Sequence, residues 1–276
     1  MQKPIRFLHF PKTAGTTMAS TLLRIYGRKH WFGFSGVAEK DREKFLNLPL
    51  DVRMNITLFI GHSMYETGLK EPDAAEIFTI LREPVSRVKS FIQHVAAGKS
   101  QYLKEYVESG VFSVDHFLYS GNGELDNLQT KMLINSDHSG SNLRISELGE
   151  EAAVELAISR LINDALAFGI QEDFDASWVA IWNALGRKPP IYASLNQKKT
   201  AERLEFTERQ LEKIRDLNRL DLKVYAAAKE EFQRRCMTGA ISDSDVTVFK
   251  RRQHLYGRVF SYIWNMARNL IKRPIN

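Results

Sequence analysis

Along the chain, short β-prone apolar runs alternate with segments whose apolar residues recur at helical spacing. Ile5 to Phe10 reads as a strand, the polar stretch after it as a loop, and about Met18 to Tyr26 as a helix. A second strand is predicted at Thr57 to Ile60, ending on Gly61-His62. A third, Glu76 to Leu81, ends on Arg82-Glu83-Pro84 and hands over to a helix through about Val95. Ala97 to Ser141 is polar and irregular. Helices are predicted at about Ile145 to Ala165, Phe174 to Leu185, Glu208 to Leu217 and Asp221 to Arg235, with a short strand at Phe168-Gly169-Ile170 and a polar loop at Tyr192 to Thr200. Strands alternating with helices predict an α/β fold: a parallel sheet covered on both faces, with its site at the carboxyl ends of the strands. The main domain is expected over residues 1–235, and residues 236–276 are expected to form a linker, Gly239 to Asp245, and a final amphipathic helix.

That helix is where the charge lies. From Tyr256 to Ile271, apolar residues recur at Tyr256, Val259, Phe260, Ile263, Met266, Ala267 and Leu270, with Arg258, Ser261, Asn265, Arg268 and Lys272 on the opposing stripe. Seven of the 39 basic residues lie from Val246 onward with no acid among them, so they account for the net charge of +6 and leave the rest nearly neutral. A nucleic-acid partner, which would want a broad basic face across the folded domain, is not expected. The helix has three candidate partners: the domain itself, a second subunit, or an anionic membrane surface.

With 276 residues, 43% of them hydrophobic, the chain is large enough for a sizeable core. No uninterrupted apolar stretch approaches the ~20 residues that span a bilayer. The opening residues Met1-Gln2-Lys3-Pro4-Ile5-Arg6 run straight into the first strand, so the expected location is the cytoplasm, with peripheral contact on the inner face of the membrane left open. The single cysteine, Cys236, excludes an internal disulfide and a cysteine-cluster metal site, and no metal is expected.

Pro11-Lys12-Thr13-Ala14-Gly15-Thr16-Thr17 sits where a strand hands over to a helix, so free backbone N–H groups and the positive end of the helix dipole point at it. Gly15 admits close backbone approach, the hydroxyls of Thr13, Thr16 and Thr17 can donate, and Lys12 supplies charge. The spacing is not that of a Walker A loop, and the one Gly-Lys-Ser, at Gly98, lacks the required first glycine because Gln93 stands there. A second element, Arg82-Glu83-Pro84-Val85-Ser86-Arg87-Val88-Lys89-Ser90, places Arg82 at a strand end and Ser90 two helical turns on, where one phosphate can bridge them.

Together these two segments resemble the PAPS-dependent sulfotransferases, in the branch that contains heparan sulfate 2-O-sulfotransferase and its bacterial relatives. PAPS is 3′-phosphoadenosine 5′-phosphosulfate. The likeness extends to Gly61-His62-Ser63-Met64-Tyr65, Asn127-Leu128-Gln129-Thr130, Phe168 to Asp175, Asn196 to Thr200 and Leu220 to Tyr225, and so covers roughly Ile5 to Arg235. The resemblance implies a P-loop NTPase-like three-layer α/β fold. It also implies that residues 11–17, with Lys12, Gly15, Thr16 and Thr17 foremost, hold the 5′-phosphosulfate, and that Arg82 and Ser90 hold the 3′-phosphate. Lys198 and Lys199 would close over the nucleotide.

The implied chemistry is transfer of sulfonate to an acceptor hydroxyl, on a carbohydrate or glycolipid. His62, at a strand end, would be the general base and Lys12 would stabilise the leaving group. His9 ranks second as a base, and Glu66 and Glu83 are outside candidates. Acceptor choice is expected to lie in residues 28–51 and 99–141, where Tyr26, Trp31, Phe32 and Phe34 are candidates for stacking on a sugar ring. Two alternatives stand beside this one: a kinase or other phosphotransferase on the same architecture, and a catalytically inactive scaffold that binds PAP, the desulfonated product. Oligomeric state is open.

Overall fold

The computed structural model describes residues 3–27, 30–100, 103–108, 112–135, 143–193 and 204–271. Strands β1 (Ile5–Leu8), β2 (Trp31–Phe34), β3 (Leu58–Gly61), β4 (Glu76–Leu81) and β5 (Ala167–Ile170) form one sheet. The α-helices of the described residues are α1 (Gly15–Tyr26), α2 (Ala38–Leu46), α3 (Leu50–Met54), α4 (Lys70–Asp73), α5 (Pro84–Ala96), α6 (Glu105–Glu108) and α7 (Val114–Leu118) in the first half. The second half adds α8 (Leu128–Ile134), α9 (Leu143–Leu148), α10 (Glu150–Ser159), α11 (Phe174–Ala184), α12 (Glu208–Leu217), α13 (Arg219–Met237) and α14 (Asp243–Ile271).

The sheet runs in the order β2-β3-β1-β4-β5 and every pairing is parallel, the α/β arrangement expected from the sequence. Strands covered on both faces read as continuous apolar runs, and β1, β3 and β5 are buried at every position. Arg6 breaks that run. It is 1% exposed, donates to Asp73 Oδ1 at 3.1 Å and to the Tyr65 carbonyl, and burial holds its pKa below the usual arginine range against the pull of Asp73.

The order also locates the site. From β1 the chain moves out to β2 and returns through β3, whereas β4 enters on the other side of β1 and continues to β5. Connections leaving β1 and β4 therefore diverge, which opens a crevice at the carboxyl ends of these two neighbours, the place where ligands bind in open α/β sheets.

Three of the departures from expectation bear on the site and on the last helix. β2 lies inside a segment read as a variable loop, and its Phe32 and Phe34 pack with Phe45 and Phe59 in a separate apolar cluster. α8 lies inside a segment read as irregular because all seven of its residues are buried, Gln129, Thr130 and Lys131 included, so no polar face betrays the helical period. The last helix begins at Asp243 rather than near Tyr256. α13 runs on to Met237, and only residues 238–242 separate the two.

Two helix N-termini cap each other across the interior. Asn127 adopts the left-handed conformation (φ 44°) before α8, and its Oδ1 accepts from the N–H groups of Leu220 (2.9 Å) and Asp221 (3.1 Å) at the start of α13. In return Asp221, 1% exposed, accepts from the N–H groups of Gln129 (3.1 Å) and Thr130 (2.7 Å) in α8. Each side chain satisfies donors that a helix start otherwise leaves unpaired in a dry interior. Asp221→Ala should lose about 3 kcal/mol in urea unfolding, because it strands two buried N–H groups and a charge-assisted cap. Asp221→Asn, which still has an acceptor oxygen, should lose less.

Candidate functional site

The loop between β1 and α1 is held in an unusual backbone path. Lys12 (φ 69°) and Ala14 (φ 60°) are both left-handed, a conformation that costs a non-glycine residue about 1–2 kcal/mol and persists only where surroundings enforce it. Thr13 enforces it from within: it is fully buried and its hydroxyl donates to the Phe10 carbonyl at 2.8 Å. Thr13 therefore holds the turn, which corrects the expectation that its hydroxyl faces a ligand. α1 starts with Ala14 at its N-cap, no side-chain cap and no acid in its first turn, so its dipole is left to attract an anion. Thr16 is exposed at this end, Thr17 is buried, and Pro11 and Lys12 are half-buried.

Gly15 is required for a reason that the motif alone does not reveal. A Cβ there would lie 1.7 Å from His9 Nε2, so the α1 backbone rests directly on the His9 ring. That ring is stacked between Phe7 (centroids 5.4 Å apart) and His62 (4.4 Å). Burial, with His62 and Lys12 nearby, drives the His9 pKa well below the ordinary histidine value, so His9 is a neutral spacer.

His62 follows Gly61, whose φ of 137° and close approach to the Phe34 carbonyl admit no side chain. Its Nδ1 lies 2.8 Å from the His9 carbonyl oxygen, which only accepts, so Nδ1 carries the hydrogen and Nε2 carries the lone pair when the ring is neutral. Burial lowers the His62 pKa, partly offset by the His9 carbonyl and Asp41. Asp41 itself is spent on the loop after β2, accepting from Ser35 N–H and Oγ and from Gly36 N–H.

Arg82 joins the two motifs. Its Nη1 donates to the Lys12 carbonyl at 3.0 Å, while its Nε is buried without a partner. Burial lowers its pKa, and Glu172 and Glu83 work against that. Its backbone is gripped by Gln129, whose Oε1 accepts from the Arg82 N–H and whose Nε2 donates to the Arg82 carbonyl, both at 3.0 Å. One residue on, Glu83 N–H donates to Glu172 Oε1 (3.1 Å), and Glu172 Oε2 accepts from Tyr225 Oη (2.8 Å). The segments Asn127 to Thr130, Phe168 to Asp175 and Leu220 to Tyr225, noted in the sequence only for their family likeness, thus all brace the carboxyl end of β4.

Two charged residues near this end carry no role in the sequence reading. Arg87 is fully buried, not on a solvated face. It donates to the Glu124 carbonyl at 2.8 Å and leaves Nε and Nη1 unpartnered. Glu124, in a short 3₁₀ turn, feels both Arg87 and Lys12, yet burial dominates and raises its pKa to about 7. Arg87 stands in the Arg-x-Pro-x-x-Arg-x-x-Ser segment, a usable signal. Glu124 lies in a turn cluster with none.

Other candidates fall elsewhere. Glu83 caps α5, accepting from Val85 N–H (2.9 Å) and Ser86 N–H (2.6 Å). Glu66 is exposed and pairs with Arg160 at 2.8 Å. Ser90 is half-buried on α5. Phe32 and Phe34 are core, which leaves Trp31, 38% exposed, as the open ring of β2. Lys198 and Lys199 lie outside the described residues. A cleft of about 900 Å³ lined by Arg6, Asp73, Glu76 and Leu166 is at the amino end of the sheet, away from the loop, Arg82 and His62.

No protein-family model matches the chain, and a search of curated proteins returns no match.

The raised pKa of Glu124 has a definite sign. A carboxyl that titrates near 7 when folded and near 4.5 when unfolded holds its proton more tightly in the fold, so its contribution is present at pH 4 and lost as pH climbs to about 7. Glu124→Gln should therefore match the native protein at pH 4.5 and become more stable by up to about 3 kcal/mol at pH 8. Chemical denaturation across that range tests it, and parallel stability curves would refute it.

Proposed function

We propose that the protein is a PAPS-dependent sulfotransferase with a P-loop NTPase-like three-layer fold. The observation that carries this reading is the Arg82 guanidinium, bonded to the Lys12 carbonyl with a buried, unpartnered Nε, beside the uncapped start of α1. Buried cationic donors without partners suit an anionic ligand with oxygens to spare. Lys12, Gly15, Thr16 and Thr17 would hold its 5′ side, and Arg82 and Ser90 its 3′-phosphate. This donor set fits a nucleotide with phosphate at both ends.

The phosphosulfate supplies an electrophilic sulfur. His62 Nε2 takes the proton of the acceptor hydroxyl as that oxygen bonds to sulfur, and the bond from sulfur to the phosphate oxygen breaks. Lys12 neutralises the charge left on that phosphate, so no net proton is needed from elsewhere. The tautomer imposed by the His9 carbonyl supports this role, because it keeps Nε2 as the basic nitrogen. A lowered pKa keeps His62 unprotonated near neutrality. The acceptor on this reading is a carbohydrate or glycolipid hydroxyl, and the enzyme resides in the cytoplasm.

Calorimetric titration with PAP and with magnesium-ATP tests the donor. Tight PAP binding, weakened at least about 100-fold in Arg82→Ala, is expected, since a buried charge-assisted contact is lost. A preference for magnesium-ATP would turn the reading toward a kinase. His62→Ala should bind PAP within about threefold of the native protein yet lose at least about 100-fold in turnover, as removal of a general base does. The native kcat/KM should rise along an acid limb whose midpoint lies below the ordinary histidine value. Binding of PAPS without turnover on any acceptor, and no change on His62→Ala, would point to the inactive scaffold.

A further inference from the structure

α14 has two working faces. One is docked: Val246 and Phe249 are buried, and the Gln253 amide accepts from Tyr192 N–H (3.2 Å) and donates to the Tyr192 carbonyl (2.9 Å). Farther along, the Arg24 guanidinium lies 4.9 Å from the Phe260 ring centroid. These contacts recur at helical spacing and fix how the helix is turned. With about 100° between successive residues, Val248, Leu255, Val259 and Tyr262 fall within about 60° of one another on roughly the opposite side. They are 55%, 65%, 60% and 68% exposed, although large apolar side chains ordinarily seek burial.

We infer that this outer stripe of α14 seats the protein on a membrane surface rich in anionic lipid headgroups. Charge selects that occupant over a second copy of the chain. Residues 246–276 hold seven cations and no anion, so pairing two such helices would set like charge against like, whereas an anionic surface attracts every one of them. Arg251, exposed, and Arg252, half-buried, lie on the two flanks of the stripe, each about 20° from its edge at about 100° per residue. Among the described residues no helix is long and apolar enough to cross a membrane, so the contact lies in the interface, with the apolar side chains entering the headgroup boundary. The docked face keeps the helix attached to the domain meanwhile. None of this rests on the chemistry proposed for the sheet end.

Co-sedimentation of the full chain with vesicles tests the inference, using phosphatidylcholine alone or mixed in equal parts with phosphatidylglycerol. The protein should pellet with the mixed vesicles and stay in solution with the neutral ones. Leu255→Glu with Val259→Glu should lower the bound fraction at least about tenfold, and Arg251→Glu with Arg252→Glu should lower it without touching the apolar stripe. Unchanged circular dichroism in both variants guards against unfolding as the cause. Absence of binding to mixed vesicles would overturn the inference, as would a concentration-dependent dimer, seen by sedimentation velocity, that Leu255→Glu with Val259→Glu dissolves.

Discussion

The side-chain amide of Gln129 bonds to both the N–H and the C=O of Arg82, and the form of the candidate site follows from that grip. Strand β4 ends at Leu81, so the backbone of Arg82 has no ladder partner to satisfy it. A buried amide that supplies one acceptor and one donor takes the place of a neighbouring strand. With its backbone fixed, Arg82 reaches across to the Lys12 carbonyl and ties the end of β4 to the loop after β1. Gln129 is held in turn by α8, whose start depends on Asp221, and α13 depends on Asn127. Side chains that read as ordinary polar residues form one connected support.

A second support stands on the other side of the loop. Gly15 rests on His9, His9 stacks on His62, and His62 returns a hydrogen bond to the His9 carbonyl. Glycine and the two histidines thus form a unit in which the loop, the start of α1 and the end of β3 are mutually placed. Two left-handed residues, Lys12 and Ala14, are retained within it at a cost that the surrounding contacts offset.

The parallel sheet, four of its five strands and the two motif loops were legible because each leaves a local signature: short apolar runs, a strand-to-helix change of period, and charged residues at strand ends. What was illegible depends on side-chain packing and hydrogen bonds that leave no pattern along the chain. The need for glycine at position 15 comes from a ring six residues away, which the motif does not show. Thr13 looked like a donor and is spent on Phe10. β2 was concealed by aromatic residues with two readings, and α8 by complete burial, which erases periodicity. Glu124 had no motif at all, and only its burial beside Lys12 and Arg87 distinguishes it. In the last helix the amphipathic pattern was visible, but only packing against Tyr192 separates its docked face from its outer one.

The most direct test of the account is calorimetric titration of PAP into Gln129→Met, a variant that retains Arg82, Lys12, His62 and every loop residue. The account predicts that affinity falls at least about tenfold while circular dichroism stays native, because Arg82 loses its backbone clamp and with it the contact to the loop. Affinity equal to that of the native protein would contradict it, showing that Arg82 is placed without Gln129 or that it takes no part in holding the ligand.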